Sequence, residues 1–277
     1  MRRLLFIVAT SSFLCMPVVA QSTWGLRSSI GLEKKIAKGL DAGFEAKYHQ
    51  TDNFQSTDRW SVGVSLSKRL YRNEAKTFSV KGSVGYKFLR VYNDWTTKYK
   101  GDETLNVADG LDPEYYLANN YSFNLNNSYV DNRHRITTSV QASAELGRFK
   151  LSWREAYQYT HTDSVEFSKD KYRYKNNAWK DPETVMDGKS ASDKNVLRSK
   201  IGVDYNIPNW KYDPFVSYEM FNGIDDNFSV EKSRITAGVE FSFNKKHNFE
   251  VAYLWQNQHD DDEPAGSFIC LGYTFEF

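Results

Sequence analysis

The sequence contains two places where a nucleophile and a base lie close together along the chain. Ser139 follows His134 by five residues, and Ser164 follows His161 by three. A histidine in hydrogen-bonding contact with a serine hydroxyl can serve as the general base of an acyl transfer. Neither serine belongs to a recognisable nucleophile motif, and closeness in sequence establishes no such contact. We therefore predict no catalytic residues.

Charged side chains recur at alternate positions along several segments, and they are the second feature that could carry chemistry. If the opposite faces of these segments contact lipid, the charges point into an enclosed interior, where each must be paired or hydrated. The near balance of signs favours a self-neutralising network, and the alternative is a channel or binding site lined by fixed charges. The candidate lumen-lining residues are Glu45, Arg133, Arg135, Glu145, Lys150, Arg154, Arg198, Lys200, Asp204, Glu219, Arg234, Glu240, Glu250 and Glu276.

Metal and cofactor signals are weak. The run His259–Glu263 contains four consecutive acidic residues that could bind Ca²⁺ from a loop, but a solvated acidic loop is the simpler interpretation. The chain has no glycine-rich phosphate-binding motif. We predict no metal site and no cofactor. Cys270 is the single cysteine beyond residue 20, so we expect a packing residue on a strand and no intrachain disulfide.

The elements that would position the charges are strands, because apolar and polar residues alternate over about ten residues at a time. In the last segment every second side chain from Ile269 to Phe277 is large and apolar, whereas Thr274 and Glu276 lie on the other face. We identify ten such segments, at 40–48, 60–66, 78–88, 133–146, 149–160, 197–205, 216–220, 231–245, 248–257 and 269–277.

The composition favours a membrane barrel. Mean hydropathy is −0.64, yet aromatic residues make up 16% of the chain. Beyond the first 20 residues there is no apolar run of about 20, as a membrane helix would need. A closed barrel explains both values, since only alternate residues face lipid and aromatic girdles border the apolar band.

Short and long connections alternate between these segments. In bacterial barrels the short turns are periplasmic and the long loops are extracellular. We predict short turns near 34–38, 71–75, 145–149, 206–212 and 244–248. We predict longer connections at 49–59, 93–132, 162–195, 221–232 and 258–266.

The strand number is the open point of this prediction. A weaker segment, Trp24–Glu33, precedes the ten, and bacterial barrels have even strand numbers. Either Trp24–Glu33 is a short strand or lumenal segment beside ten strands, or 120–130 or 165–174 supplies a twelfth. The predicted fold class is all-β, a closed antiparallel up-and-down transmembrane β-barrel of 10–12 strands with long extracellular loops.

The amino terminus has the pattern of a secretory signal. Arg2 and Arg3 precede an apolar stretch, and a small-residue cleavage site ends at Ala20. We predict a cleaved signal peptide at 1–20 and one barrel domain at 21–277. Loss of the two arginines changes the formal net charge from +1 to −1, so nothing suggests a nucleic-acid partner.

Four stretches carry a resemblance to a known family. They are IGLEKKIAKGLDAGFEAKYH, HRITTSVQASAELGRFKLSWREAYQY, VLRSKIGVDYNIP with DPFVSYEMF, and SRITAGVEFSFNKKHNFEVAYLW. With the closing aromatic, they resemble the Bacteroidetes outer-membrane barrels grouped as domain of unknown function 2490. The resemblance implies a fold and a location, and it brings no activity and no catalytic residues.

The predicted function is that of an integral outer-membrane protein of a Gram-negative bacterium, structural or a narrow passive channel with a charge-lined lumen. The alternatives are a barrel enzyme acting on lipid or envelope substrate, and a surface binding protein that uses its long loops. The expected partners are outer-membrane lipid and the barrel-assembly machinery. The latter expectation rests on Phe277, which resembles the C-terminal aromatic signal of such barrels. The sequence identifies no soluble ligand.

Overall fold

The computed structural model describes residues 23–208, 210–258 and 263–277, so the predicted signal peptide and the predicted start at Gln21 lie outside the described residues. The described chain is almost entirely β-structure. Its strands are β1 (Trp24–Ala37), β2 (Leu40–Thr51), β3 (Ser56–Arg72), β4 (Phe78–Asn93), β5 (Thr96–Tyr99), β6 (Phe123–Asn126), β7 (Tyr129–Leu146), β8 (Phe149–Thr162), β9 (Val165–Tyr172), β10 (Tyr174–Lys175), β11 (Ala178–Trp179), β12 (Glu183–Lys189), β13 (Ser192–Tyr205), β14 (Tyr212–Gly223), β15 (Ser229–Phe243), β16 (His247–Gln258) and β17 (Gly266–Glu276).

Two short helical segments complete the described elements. They are a 3₁₀ turn (Glu103–Leu105) and α1 (Pro113–Ala118). Asp112 caps α1 by accepting a hydrogen bond from the backbone N–H of Glu114 at 2.8 Å. Within the described residues, neither helical segment has the length and apolar character needed to cross a membrane.

Eleven strands form a closed barrel in the order β1, β17, β16, β15, β14, β13, β8, β7, β4, β3, β2. The predicted fold class is confirmed. Neighbours are antiparallel with one exception: β1 and β17 run parallel, from Trp24 opposite Ser267 to Glu33 opposite Glu276. Strand direction alternates around the sheet, so an odd number of strands can close only through one parallel pair.

The count of eleven lies inside the predicted range, but the sequence argument anticipated an even number. The segment Trp24–Glu33 is a full barrel strand, because β1 pairs with β2 on one side and β17 on the other. Neither 120–130 nor 165–174 adds a barrel strand. β6 and β9, which lie within them, instead pair with each other outside the barrel.

The outer face of the barrel is apolar, as alternation predicts. Large side chains on neighbouring strands point outward and are exposed, among them Ile30, Val64, Trp153 and Ile201. A soluble domain rarely leaves so much contiguous apolar surface uncovered. The polar residues between them point into the barrel. The alternation therefore divides the side chains into a lipid-compatible surface and a polar lumen.

Two of the predicted long connections are short. β2 ends at Thr51 and β3 begins at Ser56, so residues 52–55 connect them. β14 ends at Gly223 and β15 begins at Ser229, so residues 224–228 connect them. The ladders extend beyond the apolar band, so polar side chains at these positions mark the end of the lipid-facing surface and not the end of the strand.

The two longest connections build an ordered lobe at the opposite end from the short turns. A four-stranded sheet in the order β12, β9, β6, β5 joins them, and α1 packs on it. Phe123 and Tyr116 are fully buried, and the Phe123 ring stacks on Tyr116 at 4.9 Å and on Tyr172 at 4.6 Å between centroids. The loop aromatics therefore form the core of this lobe.

Candidate lumenal site

The structure places most of the predicted lumen charges around one cavity of about 740 Å³. The predicted residues that line it are Glu45, Arg135, Arg154, Arg198, Lys200, Asp204, Glu219, Arg234, Glu240, Glu250 and Glu276. Arg133 lines a second cavity of about 230 Å³ on the lobe side. Glu145 and Lys150 face each other at the β7–β8 hairpin and line neither cavity, although Lys150 reaches Asp204 at 3.1 Å.

Glu263 lies in the lumen, although the sequence analysis placed it in a solvated loop. Its carboxylate lies inside the barrel, 3.5 Å from Arg27, 3.2 Å from Arg59 and 3.4 Å from Lys232, and it also contacts Arg234. Its side chain is only 6% exposed. The expectation of a solvated acidic loop is therefore wrong for Glu263, and the preceding residues 259–262 lie outside the described part of the chain.

The four cations determine the ionisation of Glu263. Burial favours the neutral acid and would raise the pKa, because a carboxylate loses its hydration in the lumen. The positive charges of Arg234, Lys232, Arg59 and Arg27 outweigh this effect and hold the pKa of Glu263 well below its usual range. The carboxylate is consequently charged at neutral pH and acts as the shared counter-ion of the cluster.

Aromatic rings complete a layer across the lumen. Arg198, Lys232 and Arg234 place their charges 4.6 to 4.8 Å from the centroid of the Phe221 ring, within the range of cation–π attraction. Arg27 lies 4.1 Å from the ring centroid of Phe268, which is buried. Together these side chains form the Glu263 layer, which consists of Arg27, Arg59, Phe221, Lys232, Arg234, Glu263 and Phe268.

The Glu263 layer lies between the two cavities. Arg27, Arg59 and Glu263 line the larger one, whereas Phe221 and Lys232 line the smaller one. Among the described residues, none lines both. The larger cavity, called the chamber below, extends from this layer to the end of the barrel where the short turns lie, since Glu33, Asn248 and Glu276 also line it.

A row of directly opposed residues crosses the chamber wall. In cross-strand register it runs Gln141, Arg154, Lys200, Glu219, Arg234, Gln256, from β7 to β16. Arg154 and Arg198 each donate to the same oxygen of Glu219, at 2.7 and 2.9 Å. One carboxylate therefore serves several cations, since Lys200 flanks Glu219 in register and Arg234 lies on its other side.

The charges are separated along the barrel axis. Cations dominate near the Glu263 layer, and carboxylates dominate near the short turns. Glu240 faces Glu250 across β15 and β16, and Glu33 faces Glu276 across β1 and β17. The near balance of signs in the sequence conceals this separation, because composition gives totals and the register gives positions.

The structure does not bring together the serine and histidine pairs considered in the sequence analysis. His134 points outward, where its Nδ1 lies 2.8 Å from the Tyr86 hydroxyl, whereas Ser139 hydrogen-bonds Ser83 at 2.7 Å. Five strand residues separate the two by about 17 Å and place them on opposite faces. His161 Nδ1 instead lies 2.7 Å from an Asp193 oxygen. In the described chain, no three His, Cys, Asp or Glu side chains form a group suited to a metal ion.

Several site residues were missed by the sequence analysis. Phe221 and Phe268 share strand parity with Glu219 and Cys270, so the alternation itself could have placed them in the lumen. Arg27 was missed because its strand was judged weak. Glu263 lies on a connection, where period-two alternation gives no information about side-chain direction.

Comparison with known protein families assigns the chain to one of them. A family model described as Protein of unknown function (DUF2490) matches residues 24–265. The chain belongs to this family. The predicted membership of family 2490 is thereby confirmed, whereas the match does not bear on the predicted Bacteroidetes source. None of the curated proteins matches the chain.

Solved structures give only remote similarity to this DUF2490 protein. The translocator domain of autotransporter NalP from Neisseria meningitidis has 10% identity and a TM-score of 0.43, covering 81% of this chain and 70% of that one. The beta domain of the Bordetella autotransporter Brka has 10% identity and a TM-score of 0.41, covering 86% and 82%. Vibrio cholerae OmpT has 10% identity and a TM-score of 0.20, covering 88% and 92%. At these values the similarities support no functional argument.

Proposed function

We propose that this protein is an integral outer-membrane barrel whose lumen is a chamber closed at one end, and not an open channel. The apolar outer face supports the membrane location, and the short turns would face the periplasm. The folded lobe would then lie outside the cell. The Gram-negative source, its placement in Bacteroidetes and the signal peptide at 1–20 belong to the same proposal.

The Glu263 layer is the observation that carries the proposal. A passive channel needs a continuous path of water, and side chains packed across the pore interrupt such a path. Here a buried carboxylate holds four cations around itself, and the rings of Phe221 and Phe268 pack against three of them, Arg27, Lys232 and Arg234. Solutes that enter from the short-turn end would meet this layer before they reached the lobe.

The carboxyl end supports assembly in the outer membrane. The backbone N–H of Phe277 donates to the Glu33 carbonyl at 3.0 Å, so the last residue completes the β1–β17 edge. Its ring is exposed on the apolar face and stacks against Phe275 at 5.8 Å between centroids. This exposed aromatic end is available to the barrel-assembly machinery, and outer-membrane lipid would cover the surrounding band. No nucleic-acid partner is proposed.

Swelling of proteoliposomes tests the closed lumen. The purified protein, refolded into vesicles, should admit neither a pentose nor a small amino acid, whereas a general porin in matched vesicles admits both. Rapid swelling with the wild-type protein would overturn the proposal. Membrane fractionation tests the location, because the protein should partition with the outer membrane, and recovery as a soluble periplasmic species would refute that part.

A further inference from the structure

We infer that the chamber is a binding site for a small oxyanion, a phosphate or carboxylate group, held by Arg154, Arg198 and Lys200. The inference rests on the chamber of the proposed function and adds its ligand class. Lysine and arginine side chains converge on the chamber from adjacent strands, β8 and β13.

The positive charge at this wall exceeds the negative charge available to it. Arg154 and Arg198 both donate to one oxygen of Glu219, at 2.7 and 2.9 Å. Lys200 lies between Arg154 and Glu219 in register, and it forms no ion pair with any carboxylate in the described chain. Arg154 and Arg198 therefore share one counter-ion, and Lys200 has no carboxylate within ion-pair distance in the described chain. An enclosed charge without a partner is unfavourable, so an anion at this position would lower the free energy of the site.

Unused hydrogen-bond donors mark the same place. The Nε atoms of Arg154 and Arg198 are buried and have no hydrogen-bond partner. A guanidinium carries five N–H donors in a planar fork, and this fork matches the two oxygens of a carboxylate or phosphate. Nε of Arg27, elsewhere on the chamber wall, also has no hydrogen-bond partner. Buried donors in native proteins are usually satisfied, so this concentration points to a missing acceptor.

The chamber has the size and the polarity to select such a ligand. Its volume of about 740 Å³ falls within the ~300–1,000 Å³ typical of small-molecule sites. Glu240 and Glu250 face each other toward the short-turn end, and neither forms an ion pair in the described residues. These carboxylates repel negative charge at the entrance. The favoured ligand therefore carries its oxyanion at one end, and the part that remains near the entrance is neutral or positive.

Two lysines provide a matched experiment, because Lys200 lines the chamber and Lys150 does not. Lys200→Gln removes the cation that lacks a carboxylate partner, whereas Lys150→Gln removes one that is already paired with Asp204 at 3.1 Å. Neither lysine makes a direct ion pair with Glu219 or Glu263, so both variants should fold. Calorimetric titration of the folded full-length mature protein in a phosphate-free non-ionic detergent, at low ionic strength, would measure binding. The probes are inorganic phosphate, citrate and dihexanoyl phosphatidic acid.

The expected result is saturable binding of at least one probe by the wild-type protein. Affinity should fall about ten-fold or more in Lys200→Gln, the range for a lost hydrogen bond to a charged group, and should change less than about two-fold in Lys150→Gln. Tighter binding of phosphatidic acid than of inorganic phosphate would identify the ligand as a lipid headgroup. Tighter binding of inorganic phosphate would identify it as a soluble anion. Absence of binding for all three probes, or equal affinities in the two variants, would overturn the inference. Either failure leaves the swelling test of the closed lumen unaffected.

Discussion

Neutralising Glu263 should destabilise the barrel more than any other single carboxylate change at its lobe end. Glu263→Gln keeps the size of the side chain and one acceptor oxygen but removes the negative charge. Arg27, Arg59, Lys232 and Arg234 would then lose the carboxylate that they share, although Arg59 would keep its ion pair with Asp58 at 2.8 Å. Since these groups are buried, solvent cannot replace the lost charge.

The magnitude follows from the burial of the cluster. Breaking a buried ion pair by removing one partner costs about 3–5 kcal/mol, because the remaining charge stays desolvated and unpaired. Here one carboxylate serves four cations, so the free energy of unfolding should fall by about that amount. An exposed pair gives the contrast. Glu183 and Lys171 lie 3.4 Å apart on the lobe, with Glu183 67% exposed, and Glu183→Gln should cost about 0–1 kcal/mol.

Urea unfolding of the refolded protein in micelles, followed by tryptophan fluorescence, measures both variants. The midpoint for Glu263→Gln should lie clearly below that of the wild type, with the slope unchanged, and the midpoint for Glu183→Gln should be nearly unchanged. Identical midpoints for the two variants would refute the reasoning that Glu263 is the counter-ion of the lumenal cations.

Three further predictions follow from other parts of the structure. The pKa of Glu263 is lowered in the folded protein, so the stability gap between wild type and Glu263→Gln should be constant from pH 7 to about 4.5 and shrink only as the pH falls further; a gap already lost at pH 5.5 would contradict this. Phe123→Ala should cost the lobe about 3–5 kcal/mol and speed tryptic cleavage within 94–128, with the barrel left intact; unchanged cleavage would show that the ring is not the core of the lobe. Ser28→Cys with Leu271→Cys, in a Cys270→Ser background, should oxidise to a disulfide because the two residues are paired in the parallel closure; failure to crosslink would argue against that register.

The sequence predicted the barrel because alternation is a local property. Successive side chains of a strand point to opposite faces of the sheet. A few residues therefore show which positions face lipid and which face the lumen, as in 269–277. The closure was harder to predict. Whether Trp24–Glu33 joins the sheet depends on its parallel pairing with residues more than 230 positions away, and no local pattern encodes that partner.

The sequence predicted many of the charged residues that line the lumen, but it did not predict which of them form ion pairs. Parity alone placed Arg154, Lys200 and Glu219 on one face. Which cation meets which carboxylate depends on cross-strand register, which brings residues from β8, β13 and β14 into one row. Glu263 reaches the lumen from a connection, so neither periodicity nor composition distinguishes it from a solvated acid.

Single-channel recording of the wild-type protein in a planar lipid bilayer tests the closed chamber most directly. The structure predicts that inserted protein gives no steady unitary conductance, because the Glu263 layer interrupts the water path between the two ends of the barrel. Reproducible open steps of constant size in most insertions would contradict it, and would show that ions pass through the layer that Glu263 holds together.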